Sequence, residues 1–316
     1  MIVKNKNNEL RLTRVYEAPV KAVWEAWTDP AQAAQWWGPR GFTITTHSKD
    51  LRPGGQWNYT MHGPDGVDYP NNTKYLEVEE YKKLVYDHGG NEDQPPLFQV
   101  TVLFSEKNGK TTMDMTMTMP SPEATETVKG IIKKASGNST WDRLAEFLEK
   151  EATGKERFVI NRSFEAPLEK MFEMWSNPAH IAKWTAPTGF DMEFIRTDVR
   201  PGGTNFYCMS GNGIKMYGRT QYVEISKPNH IIYTQQFTDE KENLSRHPMA
   251  PTWPATMLTR VEFTPEGDNQ TRVTVTWECY GDTTAEELAT FIQARGGMTQ
   301  GWTGSFDKLE EYLPTV

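Results

Sequence analysis

Cysteine is nearly missing: Cys208 and Cys279 are the only two in 316 residues. Two thiols make no disulfide framework and none of the Cys/His spacings that hold zinc, so the expected compartment is a reducing one, the cytoplasm. A positive charge excess is missing too, with 34 Lys+Arg against 42 Asp+Glu and a net charge of −8, of which residues 1–153 carry −3 and the remainder −5. Neither half has the basic character that binds nucleic acid or an anionic membrane surface, and neither partner is expected. Long hydrophobic runs are also lacking. No stretch approaches the roughly 18 apolar residues of a membrane span, and the opening Met1-Ile-Val-Lys-Asn-Lys-Asn-Asn has no apolar signal core, so secretion is not expected. What remains, 37% hydrophobic and 24% charged residues, is the composition of a globular protein, and the length predicts two cores.

The two cores are copies of one another. At a shift of 148, Arg14-Val-Tyr-Glu-Ala-Pro19 falls on Arg162-Ser-Phe-Glu-Ala-Pro167, and the shift holds without a gap to Arg52-Pro-Gly-Gly55 and Arg200-Pro-Gly-Gly203. Trp27 then meets Trp175, Trp36 meets Trp184, and Gly41-Phe42 meets Gly189-Phe190. The shift grows to 160 at Thr111/Thr271 and to 165 at Asp142/Asp307, which places the insertions of the second copy between elements, where loops tolerate them. The boundary falls in the polar run from Glu149 to Glu156, giving domains over residues 1–151 and 156–316.

Each copy has the same order of elements. A strand (Leu10 to Tyr16; Phe158 to Phe164) runs into Ala-Pro, where proline suits a first helical turn because its missing N–H has no partner to lose there. Val23, Trp24 and Trp27 give the short helix that follows an apolar face, and Asp29-Pro30 or Asn177-Pro178 stops it and caps a second. Alternating strands come next: Trp57, Tyr59 and Met61; Phe98, Val100, Val102 and Phe104; Met113, Met115, Met117 and Met119. In the second copy Tyr207 and Met209, the strand of Met257 and Val261, and the strand of Val275, Trp277 and Cys279 match them. A closing helix places Trp141, Leu144, Ala145 and Leu148 on one face, matched by Phe306, Leu309 and Leu313. The sheet's apolar face needs a cover, and that helix is the element long enough to provide it.

The Arg-x-[Tyr/Phe]-Glu-Ala-Pro start, the Asp/Asn-Pro break, the Trp36-Trp37-Gly-Pro segment, the Arg-Pro-Gly-Gly turn and the final Trp-Asp-Arg-Leu-Ala-Glu-Phe-Leu helix resemble the SRPBCC (START-like, helix-grip, Bet v 1-like) superfamily. Within it the chain is similar to the branch named after the C-terminal domain of the activator of the heat-shock-protein-90 ATPase. The resemblance implies an α+β fold of two tandem helix-grip domains, each a curved antiparallel sheet around a long C-terminal helix with two short helices after the first strand. It also implies a cavity between sheet and helix that takes a hydrophobic or amphipathic small molecule. The copies depart from one another where Trp37 faces Thr185 and Trp57 faces Asn205.

Chemistry-bearing residues are sparse. None of the six histidines meets a histidine in the other copy, no metal-ligand spacing occurs, and no metal or cofactor is expected. A surface or structural role is the expectation for each histidine. The loop His88-Gly-Gly-Asn-Glu92-Asp93 reads as a hairpin loop, and Cys208 and Cys279 read as inert strand thiols. Unbranched thioethers adapt to varied ligand shapes. The expected cavity wall of the first copy is therefore Met113, Met115 and Met117 with Trp27, Trp57, Tyr59 and Phe98. Trp175, Tyr207, Met257 and Trp277 form that of the second. Bulky Trp277 in place of Met117 predicts a smaller or differently shaped second cavity. Glu25, Glu173 and His62 are weaker polar candidates. The expected function is non-enzymatic binding of a hydrophobic or amphipathic molecule. Two alternatives stand beside it: a co-chaperone-like module acting on a heat-shock-protein-90-type ATPase, and a cyclase- or hydrolase-like enzyme for an aromatic substrate using Glu25, Tyr59 or His62.

Overall fold

The alternating apolar residues of each copy close into one antiparallel sheet. In the computed structural model, which describes residues 8–89, 95–134 and 139–316, the chain divides into two compact units, Met1–Gly154 and Lys155–Val316. The first unit runs β1 (Glu9–Tyr16), α1 (Val20–Thr28), α2 (Pro30–Trp36), β2 (Thr43–Lys49), β3 (Gln56–His62), β4 (Asp68–Glu79), β5 (Lys83–His88), β6 (Phe98–Lys107), β7 (Lys110–Thr118), α3 (Pro122–Lys134) and α4 (Ser139–Thr153). The second repeats it as β8 (Arg157–Phe164), α5 (Leu168–Ser176), α6 (Pro178–Trp184), β9 (Asp191–Arg196), β10 (Thr204–Gly211), β11 (Ile214–Ser226), β12 (His230–Thr238), β13 (Met257–Gly267), β14 (Gln270–Cys279), α7 (Ala285–Gln293) and α8 (Arg295–Tyr312). The sheets have the orders β1-β7-β6-β5-β4-β3-β2 and β8-β14-β13-β12-β11-β10-β9, so the first and last strands of each copy are neighbours.

Local chemistry sets the element ends. Pro19 and Pro167 sit one residue outside their helices, at the N-caps in extended conformation, rather than in the first turn. Pro30 and Pro178 do occupy the first turns of α2 and α6. There the carboxylate of Asp29 accepts from the Ala31 and Gln32 amides at 2.8 and 2.9 Å, and the amide oxygen of Asn177 accepts from Ala179 at 3.0 Å. In the Pro-Gly-Gly turns Gly54 and Gly202 have φ of 83° and 79°, and a Cβ on Gly55 or Gly203 would lie 2.2 Å from the carbonyl oxygen of Asp50 or Asp198, so glycine is required at both places. The helices α3 and α7, which precede the final helix of each unit, have no counterpart in the sequence reading.

Each core lies between the inner face of the sheet and the helices. In both units an indole N–H ties the second helix to the first: Trp36 donates to the Ala26 carbonyl at 3.0 Å and Trp184 to that of Met174 at 3.1 Å. The final helix is fastened to the first strand by the matched pair Arg14–Asp142 in one unit and Arg162–Asp307 in the other. It is fastened to the loop after the second helix by a cation. Arg143 donates to the carbonyls of Gly38, Pro39 and Phe42, and Lys308 to those of Ala186, Pro187 and Phe190.

Candidate functional site

In the first unit the interior is filled by aromatic rings. Trp27 stacks on Trp141 of α4, with centroids 5.4 Å apart and planes at 10°, while Trp37 meets Trp27, Trp36 and Trp57 edge-on or tilted at 5.3, 5.1 and 4.9 Å. Trp57 stacks on Tyr59 at 4.2 Å, and the Trp37 N–H donates to the Tyr59 hydroxyl at 3.2 Å. Trp27, Trp57, Tyr59, Met113 and Met115 are all buried, and Met117 and Phe98 pack against them. Burial pushes the Tyr59 phenol up to about 12, against the smaller opposing effect of the Trp37 hydrogen bond.

The second unit has the same frame but lacks two of the indoles that fill the first. Thr185 and Asn205 stand where Trp37 and Trp57 stand, and both line a cavity of about 490 Å³ between the sheet, α6 and α8. Asn205 does not reach across the gap. Its side chain is turned aside, accepting from the Asp198 amide at 3.0 Å and donating to the Tyr222 hydroxyl at 2.9 Å. The final helix opens the space further. Its cavity face presents Gly297, Gly301 and Ser305 four residues apart, and a Cβ added at either glycine would meet nothing within 4 Å. This cavity lies in the copy with the bulkier Trp277, where a smaller or differently shaped one was expected. The ring at that position matters less than the two that are lost from the second helix's end and the third strand.

Trp302 of α8 takes over the stacking role of Trp141, lying on Trp175 at 5.8 Å with planes at 16° and meeting Trp277 edge-on at 5.6 Å. The indole N–H groups of Trp175, Trp277 and Trp302 are buried without an acceptor among the described residues; that of Trp27 is likewise, so this is shared by both units. Residues 239–256, the insertion between β12 and β13, contribute His247, Ala250, Trp253 and Pro254 to the cavity wall. This segment is held on α7: Arg246 pairs with Glu287, Thr252 meets Thr290 at 2.8 Å, and Trp253 packs on Phe291 at 6.1 Å. Glu287 also closes a capping box with Thr284 at the start of α7, which fixes its position for Arg246.

No Asp, Glu, Lys or Arg is among the lining residues. Burial holds the phenols of Tyr207 and Tyr222 up at about 12 and moves Tyr233 higher still, so all three stay protonated near neutrality. Burial lowers the imidazole of His247, which favours its neutral form. Its Nδ1 lies 3.1 Å from the Met249 backbone N–H and accepts from it, so the proton of the neutral ring resides on Nε2.

The residues singled out by sequence thus part company. Trp175, Tyr207, Met257 and Trp277 line the cavity of the second unit. Trp27, Trp57, Tyr59, Met113, Met115, Met117 and Phe98 belong to the packed interior of the first. The polar candidates lie elsewhere. Glu25 and Glu173 are on the outward faces of α1 and α5, 46% and 59% exposed, beside Lys21 and His180. His62 is on the outer face of its sheet, bonded to Asp68 at 2.6 Å and Thr45 at 2.8 Å. Inner strand positions alternate with outer ones, and His62 follows Met61. His247, for which a surface or structural role was expected, lies on the cavity wall in an insertion, where no alternation or matching residue points to a cavity. The described end of the His88 loop shows His88 as the last residue of β5, stacked on Phe98 at 4.7 Å; residues 90–94, including Glu92 and Asp93, lie outside the described residues. Cys208 and Cys279 are half-buried on strands, and burial pushes the Cys279 thiol up to about 11, away from the reactive thiolate.

Sheet, short helices and gripping final helix, twice over, define a tandem helix-grip protein. The chain belongs to the family described as "Activator of Hsp90 ATPase homolog 1-like protein", whose model matches residues 17–149 and again 165–314. Among solved structures, a protein from Mycobacterium smegmatis is 32% identical over 46% of this chain and 93% of its own, with a TM-score of 0.41. One from Nitrosomonas europaea is 25% identical over 46% and 96%, with a TM-score of 0.42. The di-domain ARO/CYC BexL from the BE-7585A biosynthetic pathway aligns over 96% of this chain and 98% of its own at 11% identity and a TM-score of 0.39. A search of curated protein sequences gave no match. No helix among the described residues is long and apolar enough to cross a membrane.

Proposed function

We propose that this chain binds an apolar or amphipathic small molecule in the cavity of its second unit, while the first unit, its interior filled by indole rings, takes none. The observation that carries this reading is the replacement of Trp37 and Trp57 by Thr185 and Asn205 in otherwise matching frames, with a cavity of about 490 Å³ lined by them. That volume lies in the range of small-molecule sites, and its aromatic and thioether walls suit an apolar guest of variable outline. Binding is favoured over turnover because the lining holds no carboxylate or amine and the phenols of the wall are held protonated, which leaves the single imidazole of His247 with no second titratable group to work beside it.

Native mass spectrometry of gently purified protein, repeated after denaturation, tests this directly. One small molecule per chain is expected, and Asn205→Trp, which restores the ring found in the first unit, is expected to abolish it. Two molecules per chain, or one that survives Asn205→Trp, would place the site elsewhere. Stimulation of a heat-shock-protein-90-type ATPase by the apo chain and by Asn205→Trp alike would favour the co-chaperone reading instead.

A further inference from the structure

We propose that the second unit selects an uncharged, largely apolar molecule bearing a hydroxyl or carbonyl oxygen, and that the cross-strand pair Thr220 and Gln235 engages that oxygen. The inference rests on the binding reading above and adds the chemical class of the guest. Its first ground is the absence of any Asp, Glu, Lys or Arg in the lining: a carboxylate or ammonium entering this space would leave water and meet no permanent counter-charge, only the His247 imidazole, whose neutral form burial favours. Fatty acids, phosphates and amines are thereby disfavoured, although their hydrocarbon parts would fit the walls.

The second ground is the floor. Asn205, Thr220, Gln235 and Met257 are consecutive partners across β10, β11, β12 and β13, so they form one row on the sheet. Asn205 is committed to Asp198 and Tyr222. The neighbouring Gln236 is committed as well, accepting from Arg219 at 2.5 Å and donating to Thr256 at 2.8 Å. Thr220 and Gln235 both line the cavity, and neither side chain has a hydrogen-bond partner among the described residues. A hydroxyl and an amide side by side offer donors and acceptors together, which matches a phenol or a carbonyl oxygen. In the first unit the same two places are Thr73 and His88, partners across β4 and β5, and there the Phe98 ring lies flat on the imidazole. The second unit has Met257 in that ring's place, so its polar pair is left uncovered.

The experiment uses the full chain near neutral pH and three naphthalenes of one size: 2-naphthol, 2-naphthoate and 2-methylnaphthalene, titrated by calorimetry and by quenching of tryptophan fluorescence. Naphthol is expected to bind about tenfold or more tighter than naphthoate, as one well-placed hydrogen bond against one unpaired charge requires. Thr220→Val and Gln235→Leu, each checked for an unchanged unfolding midpoint, are expected to remove most of naphthol's advantage over methylnaphthalene while leaving methylnaphthalene within about twofold. Should either variant fail that check, Gln235→Glu serves: its added charge is expected to weaken naphthol and methylnaphthalene together. Naphthoate binding as tightly as naphthol, or naphthol keeping its advantage in the variants, overturns the proposed selectivity and leaves the binding reading intact. Failure of all three to bind the unaltered chain also overturns the proposed selectivity, while the co-purified molecule and its loss in Asn205→Trp decide the binding reading separately.

Discussion

At the scale of the residue, the difference between the two copies comes down to a few side chains on one frame. An indole replaced by a threonine or an asparagine leaves space that its neighbours cannot fill, because protein interiors are close-packed and relax only partly. Gly301 shows the same logic from the helix. Glycine in a helix interior is about 0.5–1 kcal/mol less favourable than alanine, so its presence facing open space works against local stability. Gly301→Ala is therefore expected to raise the unfolding free energy by about that amount in a denaturant titration. Gly301→Leu, whose side chain would extend into the cavity from a position where a Cβ meets nothing, is expected to keep the fold and lose the bound molecule. Ligand binding that survives Gly301→Leu would move the site away from α8. Much at this scale was legible beforehand: Trp175, Tyr207, Met257 and Trp277 lie at alternating strand and helix positions, so their inward direction follows from period alone. That Thr185 and Asn205 open a cavity was not legible, since a sequence shows which ring is missing but not whether another side chain moves in.

Between elements, charged groups do the fastening, and the two units do it unequally. Arg14 and Asp142 join β1 to α4 at 3.1 Å with both side chains 3% exposed, whereas the matching Arg162 and Asp307 are 22% and 55% exposed. Removing one member of a buried pair strands the other, at about 3–5 kcal/mol, while an exposed pair contributes about 0–1 kcal/mol. Arg14→Met is accordingly expected to destabilise the first unit severely and Arg162→Met to leave the second nearly unchanged, as read by hydrogen exchange of the amides in residues 8–154 and 155–316. Equal effects would mean that the match in sequence outweighs the difference in burial. The sequence shows both pairs as matched residues, yet burial depends on what covers them and is invisible to alignment. The insertion at 239–256 is a similar case. Its presence is plain from the growing shift between the copies, but its packing on α7 through Arg246 and Thr252 joins residues some forty positions apart that no periodicity relates.

For the whole molecule, the two halves are expected to respond differently to acid. His88 is enclosed on the sheet floor of the first unit, and burial lowers its imidazole from 6.5 to about 4, while the second unit has the non-titrating Gln235 at the same place. Above about pH 6.5 the ring is neutral both folded and unfolded, and the fold carries no penalty. Between 6.5 and 4 the unfolded chain binds a proton that the folded one does not, so stability falls steadily with pH across that window, by at most about 3 kcal/mol. Below about 4 both forms are protonated and this loss is complete. Hydrogen exchange followed from pH 7 to 4 is expected to show protection in the first unit falling faster than in the second, with His88→Gln removing the part of the fall that lies in this window. An unaltered pH profile in His88→Gln would show that the imidazole is solvated in the folded chain and that the acid sensitivity has another origin. The second unit has its own buried imidazole in His247 on the cavity wall, so acid places an unpaired charge beside the bound molecule, and His247→Gln is expected to extend its retention to lower pH, as read by native mass spectrometry across the same range.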